Sequence, residues 1–301
     1  MPVPMSDLHG VDTPSGGETT RPPWDGVVIG VTLSLLVTVV AVMVWVGVTT
    51  HPTSSLTTGP ASALAAYPVG VPDRAEPSGL APLRHNNLHG FQLTNVVDFS
   101  GRSLPTSWVA FAGQPGGLAG GHFSPSHATV SQGALRLVAS PDPLFGGHWA
   151  TGGVCQCGRS ATYGAYFVRS RVTGVGPNEV ELLWPANNVW PPEIDFSETG
   201  QSVQGISATV HSGRANTISQ LTYSTNMLRW HTWGVIWTPR SITYVVDGHP
   251  WGVVTQASMI PSVPMRLDLE QRFVCGANAS CPKHSITMLV DWVMEYRYTG
   301  R

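Results

Sequence analysis

The longest apolar run in the chain is Gly26–Val48 (GVVIGVTLSLLVTVVAVMVWVGV), 23 residues without a charge. As a helix it would reach roughly 34 Å, enough to cross a hydrocarbon core of about 30 Å. It is therefore expected to be one retained transmembrane helix. A cleaved secretory signal is the alternative, with Ala61-Ser62-Ala63 as a cleavage site. The run is longer than a signal core, however, and lacks a basic leader. Arg21 lies just before it and the next Lys or Arg is Arg74, which places residues 1–25 on the cytoplasmic side as an N-terminal tail. Residues 49–84 carry Thr, Ser, Pro, Ala and Gly without apolar periodicity and are expected to form a flexible linker.

From His85 to Arg301 the pattern changes to short β-branched and aromatic runs punctuated by Gly, Pro and Asn. Strands are expected at Ala134–Val138, Ala165–Val172 and Met288–Tyr298. Two more, Ser241–Val246 and Trp251–Thr255, flank Asp247-Gly248, a strong hairpin signal. No segment shows helical periodicity and no long repeat appears. Many strands without helices predict an all-β domain over 85–301, with sheet packed on sheet as a sandwich or jelly roll. Alternation alone leaves a closed barrel open.

Charge narrows the picture. Only 11% of the residues are Asp, Glu, Lys or Arg, against roughly 25% in an ordinary domain. The net charge is −2, with no basic stripe, which argues against a nucleic-acid partner. Residues 85–301 hold 12 acids, and three of these, Glu193, Asp195 and Glu198, fall within six positions.

In a regular strand Glu193 and Asp195 share a face and Glu198 takes the other. One extra residue, a β-bulge around Phe196-Ser197, would return Glu198 to the first face. Such a carboxylate row suits a retaining glycosidase, in which one acid attacks and a second, about 5–5.5 Å away, donates a proton. Neighbouring negative charge would help that acid keep its proton. Trp184 and Trp190, just upstream, offer flat apolar faces on which a sugar ring can stack. The residues alone leave open two further readings, a Ca²⁺ site and a solvated strand face.

All four cysteines, Cys155, Cys157, Cys275 and Cys281, lie in the β domain. Outside the cytoplasm they are expected to form disulfides. Cys275 and Cys281 bracket a short Gly/Asn/Ser loop and are the favoured pair. Cys155 and Cys157 would share a strand face, where a direct bond is expected to be strained. No His or Cys spacing resembles a zinc site, and no metal or cofactor is expected.

The Glu193-x-Asp195-x-x-Glu198 motif resembles the bulged acid motif of glycoside hydrolase family 16, the laminarinase, lichenase and agarase group. Further similarity lies in Val97-Asp98-Phe99 with Trp108, Tyr163-Gly164, His231-Thr-Trp233 through Trp237-Thr-Pro, Asp247-Gly248, and Leu289-Val-Asp291-Trp292-Val. It covers most of residues 90–300. The resemblance implies a jelly-roll sandwich with a carbohydrate cleft. It further implies Glu193 as nucleophile, Glu198 as general acid/base and Asp195 as electrostatic support. His211 matches a position where members often carry a His near the acid/base; a structural His is the other reading.

Some residues depart from that pattern. Ser212-Gly213 stands where many β-1,3-glucanases have Trp-Gly, and Glu181-Leu-Leu-Trp184-Pro replaces a Phe-Trp-Leu run. Cys155 and Cys157 are unusual for the family, and Asp291 is the one obvious acid near the family's convex-side Ca²⁺ position. The resemblance implies an endo-glycosidase on a β-glucan or β-galactan; the chain is expected to be monomeric, and the apolar run at 26–48 is expected to hold it at the membrane. A transglycosylase using the same acids, or a non-catalytic carbohydrate-binding surface protein, are the alternatives.

Overall fold

The computed structural model describes residues 3–4, 66–276 and 280–300. No helix among these residues is long and apolar enough to cross a membrane. The transmembrane segment expected over 26–48 lies outside the described residues, as do nearly all of the cytoplasmic tail and the linker up to residue 65.

The domain is built almost entirely of strands: β1 (Phe91–Val97), β2 (Val109–Ala112), β3 (Ala128–Ser131), β4 (Ala134–Pro141), β5 (Trp149–Thr151), β6 (Gly153–Cys155), β7 (Gly164–Val172), β8 (Asn178–Pro185), β9 (Glu193–Glu198) and β10 (Gly205–Ser212). It continues with β11 (Thr217–Ser224), β12 (His231–Trp237), β13 (Ile242–Val246), β14 (His249–Val254), β15 (Met265–Arg272) and β16 (Ile286–Tyr298). One sheet runs β2-β6-β15-β8-β9-β10-β11, with Val3–Pro4 added at the β2 edge. The other runs β14-β13-β12-β7-β16-β4-β3, with β1 beside β16 and β5 beside β4. Neither sheet closes on itself, so the architecture is a two-sheet sandwich and not a barrel.

The core between the sheets follows from alternation. Leu183, Ile194, Phe196, Ala208, Val210, Leu267 and Leu269 of the first sheet meet Val168, Trp233, Val235, Tyr244, Met288 and Val290 of the second. Asp247-Gly248 forms the tight turn between β13 and β14, with φ of 46° and 81°, the left-handed pair a two-residue hairpin needs.

Two features differ from the sequence reading. Residues 66–84, part of the expected linker, are laid on the outer face of the second sheet. Val69 O accepts from Thr232 Oγ1 at 3.0 Å, Ser78 N–H donates to Asp291 Oδ2 at 3.0 Å, and the Trp292 indole donates to Leu80 O at 2.7 Å. Tyr67 and Leu83 pack on a second apolar cluster with Phe167, Trp292 and Met294. A Pro-rich segment without periodicity docks because the sheet offers an apolar outer face and buried polar groups to bind.

Both cysteine pairs are bonded, Cys275 to Cys281 and also Cys155 to Cys157. The neighbouring pair closes because β6 ends at Cys155 and the chain turns there. Its Cα atoms come to 5.0 Å, within ordinary disulfide range.

Candidate active site

The strand β9 sits between β8 and β10 in the first sheet. On the β10 side Glu193 pairs with His211, Asp195 with Thr209 and Glu198 with Ser207. The register slips between Asp195 and Glu198, so two residues, Phe196 and Ser197, face one on β10. That is a β-bulge. Both bulged side chains are fully buried, Phe196 within the core. Glu193, Asp195 and Glu198 are thereby left together on the face turned away from it.

Each carboxylate is held differently. The Trp190 indole N–H donates to Glu193 Oε2 at 2.7 Å. Asn178 Nδ2 donates to Glu198 Oε1 at 2.8 Å. His211 Nε2 lies 3.6 Å from Asp195 Oδ2, and its Nδ1 hydrogen-bonds Asn216 Oδ1 at 2.8 Å. The structure thus places His211 at the Glu193–Asp195 end of the row and not beside Glu198. Register explains this, since His211 is paired with Glu193, four residues further along β10 than Ser207, the partner of Glu198.

Trp184 and Trp190 are both at the site, in unequal positions. Trp184 is 8% exposed and clusters with Val180, Leu182 and Trp190. Trp190 is half-buried, and its ring is tilted against His211 with centroids 5.7 Å apart. Trp190 therefore offers more surface to a ligand than Trp184.

The structure adds a second charged row. Across β8 from the acids, Trp184 pairs with Arg266, Leu182 with Asp268 and Val180 with Glu270. An apolar stripe on β8 separates the two rows. Arg266 Nε donates to Asp268 Oδ1 at 3.0 Å and its Nη1 to Asn188 Oδ1 at 2.8 Å. Arg272 Nη1 lies 3.7 Å from Glu270 Oε2, while its Nη2 donates to Gly116 O. Sequence reasoning passed over these residues. The strict alternation Arg266-Leu-Asp268-Leu-Glu270-Gln-Arg272 carried the signal, because it puts all four charges on one strand face.

Burial dominates the electrostatics. It raises the Glu193 carboxyl above its ordinary value, against the Trp190 hydrogen bond and the nearby His211 and Arg272. Asp195 is raised well above its usual range by burial and then by repulsion from Glu193 and Glu198. Asp268 is pushed up to about 8 and Glu270 to about 7, again mainly by burial and in spite of their arginines. Glu193, Asp195 and His211 each bring a donor atom within 4.8 Å of the others, close enough to hold a cation. Chemically, the row offers two Glu side chains flanking an Asp on one strand face.

Residues 121–293 match the model of the glycosyl hydrolases family 16. The endo-1,3-1,4-beta-glycanase ExsH of Rhizobium meliloti (strain 1021) is 31% identical over 186 residues, 56% of this chain and 39% of that protein. The endo-1,3-1,4-beta-glycanase EglC of the same organism is 30% identical over 131 residues, 40% of this chain and 28% of that protein. The matched segment thus spans less than half the length of these curated relatives. Among solved structures, the laminarinase from Rhodothermus marinus superposes with a TM-score of 0.62 at 21% identity, covering 69% of this chain and 98% of that one. These likenesses agree with the two-sheet fold, and the family model spans both the acid row and the second charged row: the chain belongs to glycosyl hydrolase family 16.

Proposed function

We propose that this chain is a retaining endo-glycosidase that cleaves β-1,3/1,4-linked glucan outside the cytoplasm. The observation that carries the reading is the bulge at Phe196-Ser197, which sets Glu193, Asp195 and Glu198 on one face. Glu193 is the nucleophile. Its Oε2 is held by the Trp190 indole, which leaves Oε1 to attack the anomeric carbon. Glu198, held through Oε1 by Asn178, gives its proton to the leaving glycosidic oxygen. It then takes a proton from the water that resolves the glycosyl-enzyme intermediate. Asp195 lies between the two and limits the charge that the pair carries in each step. His211 supports Asp195, and Trp190 provides the ring face for the sugar.

The substrate class is supported by the names of the Rhizobium relatives, which act on 1,3-1,4-β-glycans. Two disulfides support an oxidising compartment. Residues 26–48 are proposed as the membrane anchor that holds the domain there.

The deciding experiment is a panel of laminarin, mixed-linkage glucan, agarose and other β-galactans, assayed with the full chain and with Glu193→Gln. Hydrolysis of the glucans is expected in the wild type. A loss of at least about 10⁴-fold is expected in the variant, with an unchanged circular dichroism spectrum. Undiminished activity in Glu193→Gln would remove the nucleophile assignment, and no cleavage of any member of the panel would remove the hydrolase reading.

A further inference from the structure

Behind the acid row, on the core side of the same sheet, the sandwich buries two more glutamates. Glu179 and Glu181 are two residues apart on β8 and both fully inaccessible. Glu181 Oε1 accepts from Ser170 Oγ of the opposing sheet at 2.5 Å. The two oxygens of Glu179 lie 3.5 and 3.4 Å from Ser197 Oγ. The two carboxyls also hydrogen-bond each other, so at least one of them carries a proton, and the other groups acting on them are Ser170, Ser197 and Glu198, with no basic side chain among them. Burial raises both carboxyls above their ordinary range, so with no counter-charge they are held protonated near neutral pH, and a cation is the group that would let them ionise.

A second observation comes from another strand. Gln271 on β15 is paired in register with Glu179 and so shares its inward face. It is fully buried, yet neither its Oε1 nor its Nε2 has a hydrogen-bond partner, and Glu181 Oε2 is likewise unpartnered. Buried amides in native proteins are almost always satisfied. A buried, unpartnered amide in register with Glu179, on the same inward face as two carboxyls that meet no basic group, points to a bound cation.

We infer that Glu179, Glu181, Gln271, Ser170 and Ser197 form an internal calcium site between the two sheets. Four carboxylate oxygens, two hydroxyls and one amide oxygen make a set of oxygen donors of the number Ca²⁺ takes, six to eight. Mg²⁺ holds several waters in strict octahedral geometry and suits a dry interior less well. The absence of thiolate and imidazole donors disfavours zinc and copper. On binding, the two glutamates release their protons, and the two negative charges left balance one divalent ion.

The site has a structural consequence. Ser197 is one of the two bulged residues that re-aim Glu198. An ion bound to Ser197 and Glu179 would clamp the bulge from behind. That consequence rests on the reading of Glu198 as acid/base; the ion site itself does not.

The test is calorimetric titration of the full chain with CaCl₂ after stripping with EGTA, alongside thermal melts. One ion per chain is expected, with Tm rising by about 5–10 °C at a hundredfold excess over Kd. Glu181→Gln and, independently, Gln271→Leu should weaken binding at least about 10-fold, while Glu193→Gln should leave it unchanged. Metal analysis of the chain as purified adds a readout that needs no variant, and one equivalent of calcium is expected. A flat isotherm with no change in Tm would overturn the site. So would binding that survives Glu181→Gln or disappears with Glu193→Gln, since the latter would place the ion on the outer face.

Discussion

The Trp190 indole nitrogen and Glu193 Oε2 are 2.7 Å apart, a short hydrogen bond made by a residue three positions before the strand that carries the acids begins. It fixes one oxygen of the carboxylate and opposes the rise that burial imposes on its pKa. Trp190 thus holds Glu193 in position, in addition to the sugar-stacking role proposed for its ring.

Trp190→Phe keeps the ring and deletes the donor. A hydrogen bond to a charged group is worth about 1.5–3 kcal/mol, so kcat should fall roughly 10- to 100-fold. KM should change little if the ring still carries the sugar. Without the donor the Glu193 pKa rises, so the acidic limb of the kcat/KM profile should move to higher pH. Steady-state kinetics on mixed-linkage glucan from pH 4 to 9 checks both. An unchanged acidic limb would mean that the bond does not tune Glu193.

Stability should fall as pH rises across the neutral range. Asp268 and Glu270 titrate near 8 and near 7 in the folded chain, well above ordinary carboxylates, so between about pH 4 and 8 the folded state binds more protons than the unfolded one. The contribution is therefore full below pH 4 and lost as pH passes through 7–8. Urea midpoints in EGTA should be higher at pH 5 than at pH 8. Asp268→Asn should flatten that slope, and a midpoint that rises with pH would contradict the assignment.

The segment 66–84 should be required for a stable domain. A chain starting at residue 85 loses the bonds from Thr232, Ser78 and Trp292 and uncovers Trp292, which is otherwise fully buried. It also strips Asp291 of its donor. Together these should cost about 3–5 kcal/mol, or a Tm about 10 °C below that of a chain starting at 66. Paired thermal melts of the two truncations decide it, and equal Tm values would show that the segment is a passive cover.

Much of the acid row was legible because its logic is local. Alternation puts Glu193 and Asp195 on one face, and only a bulge can bring Glu198 there, so three residues and the strand period suffice to state the arrangement. The Asp247-Gly248 turn is equally local. His211 was identified as a residue of the site, but its position in the row was not, because that depends on which residue of β10 sits opposite Glu193. The second charged row is the same case at longer range. Its alternation was visible, yet nothing in Arg266–Arg272 says that β8 will lie between it and β9.

The sequence by itself determined the strand-rich domain, the hairpin, the acid motif and the family pattern, all of which follow from the conformational preferences of neighbouring residues. The tertiary structure decided the pairing of strands far apart in the chain. That pairing put Asp268 and Glu270 across from the acids, turned Glu179, Glu181 and Gln271 into one buried cluster and docked residues 66–84 on the second sheet. Side-chain period tells which face a residue takes, but its neighbours on that face are set by sheet order and register, and these are properties of the packed whole.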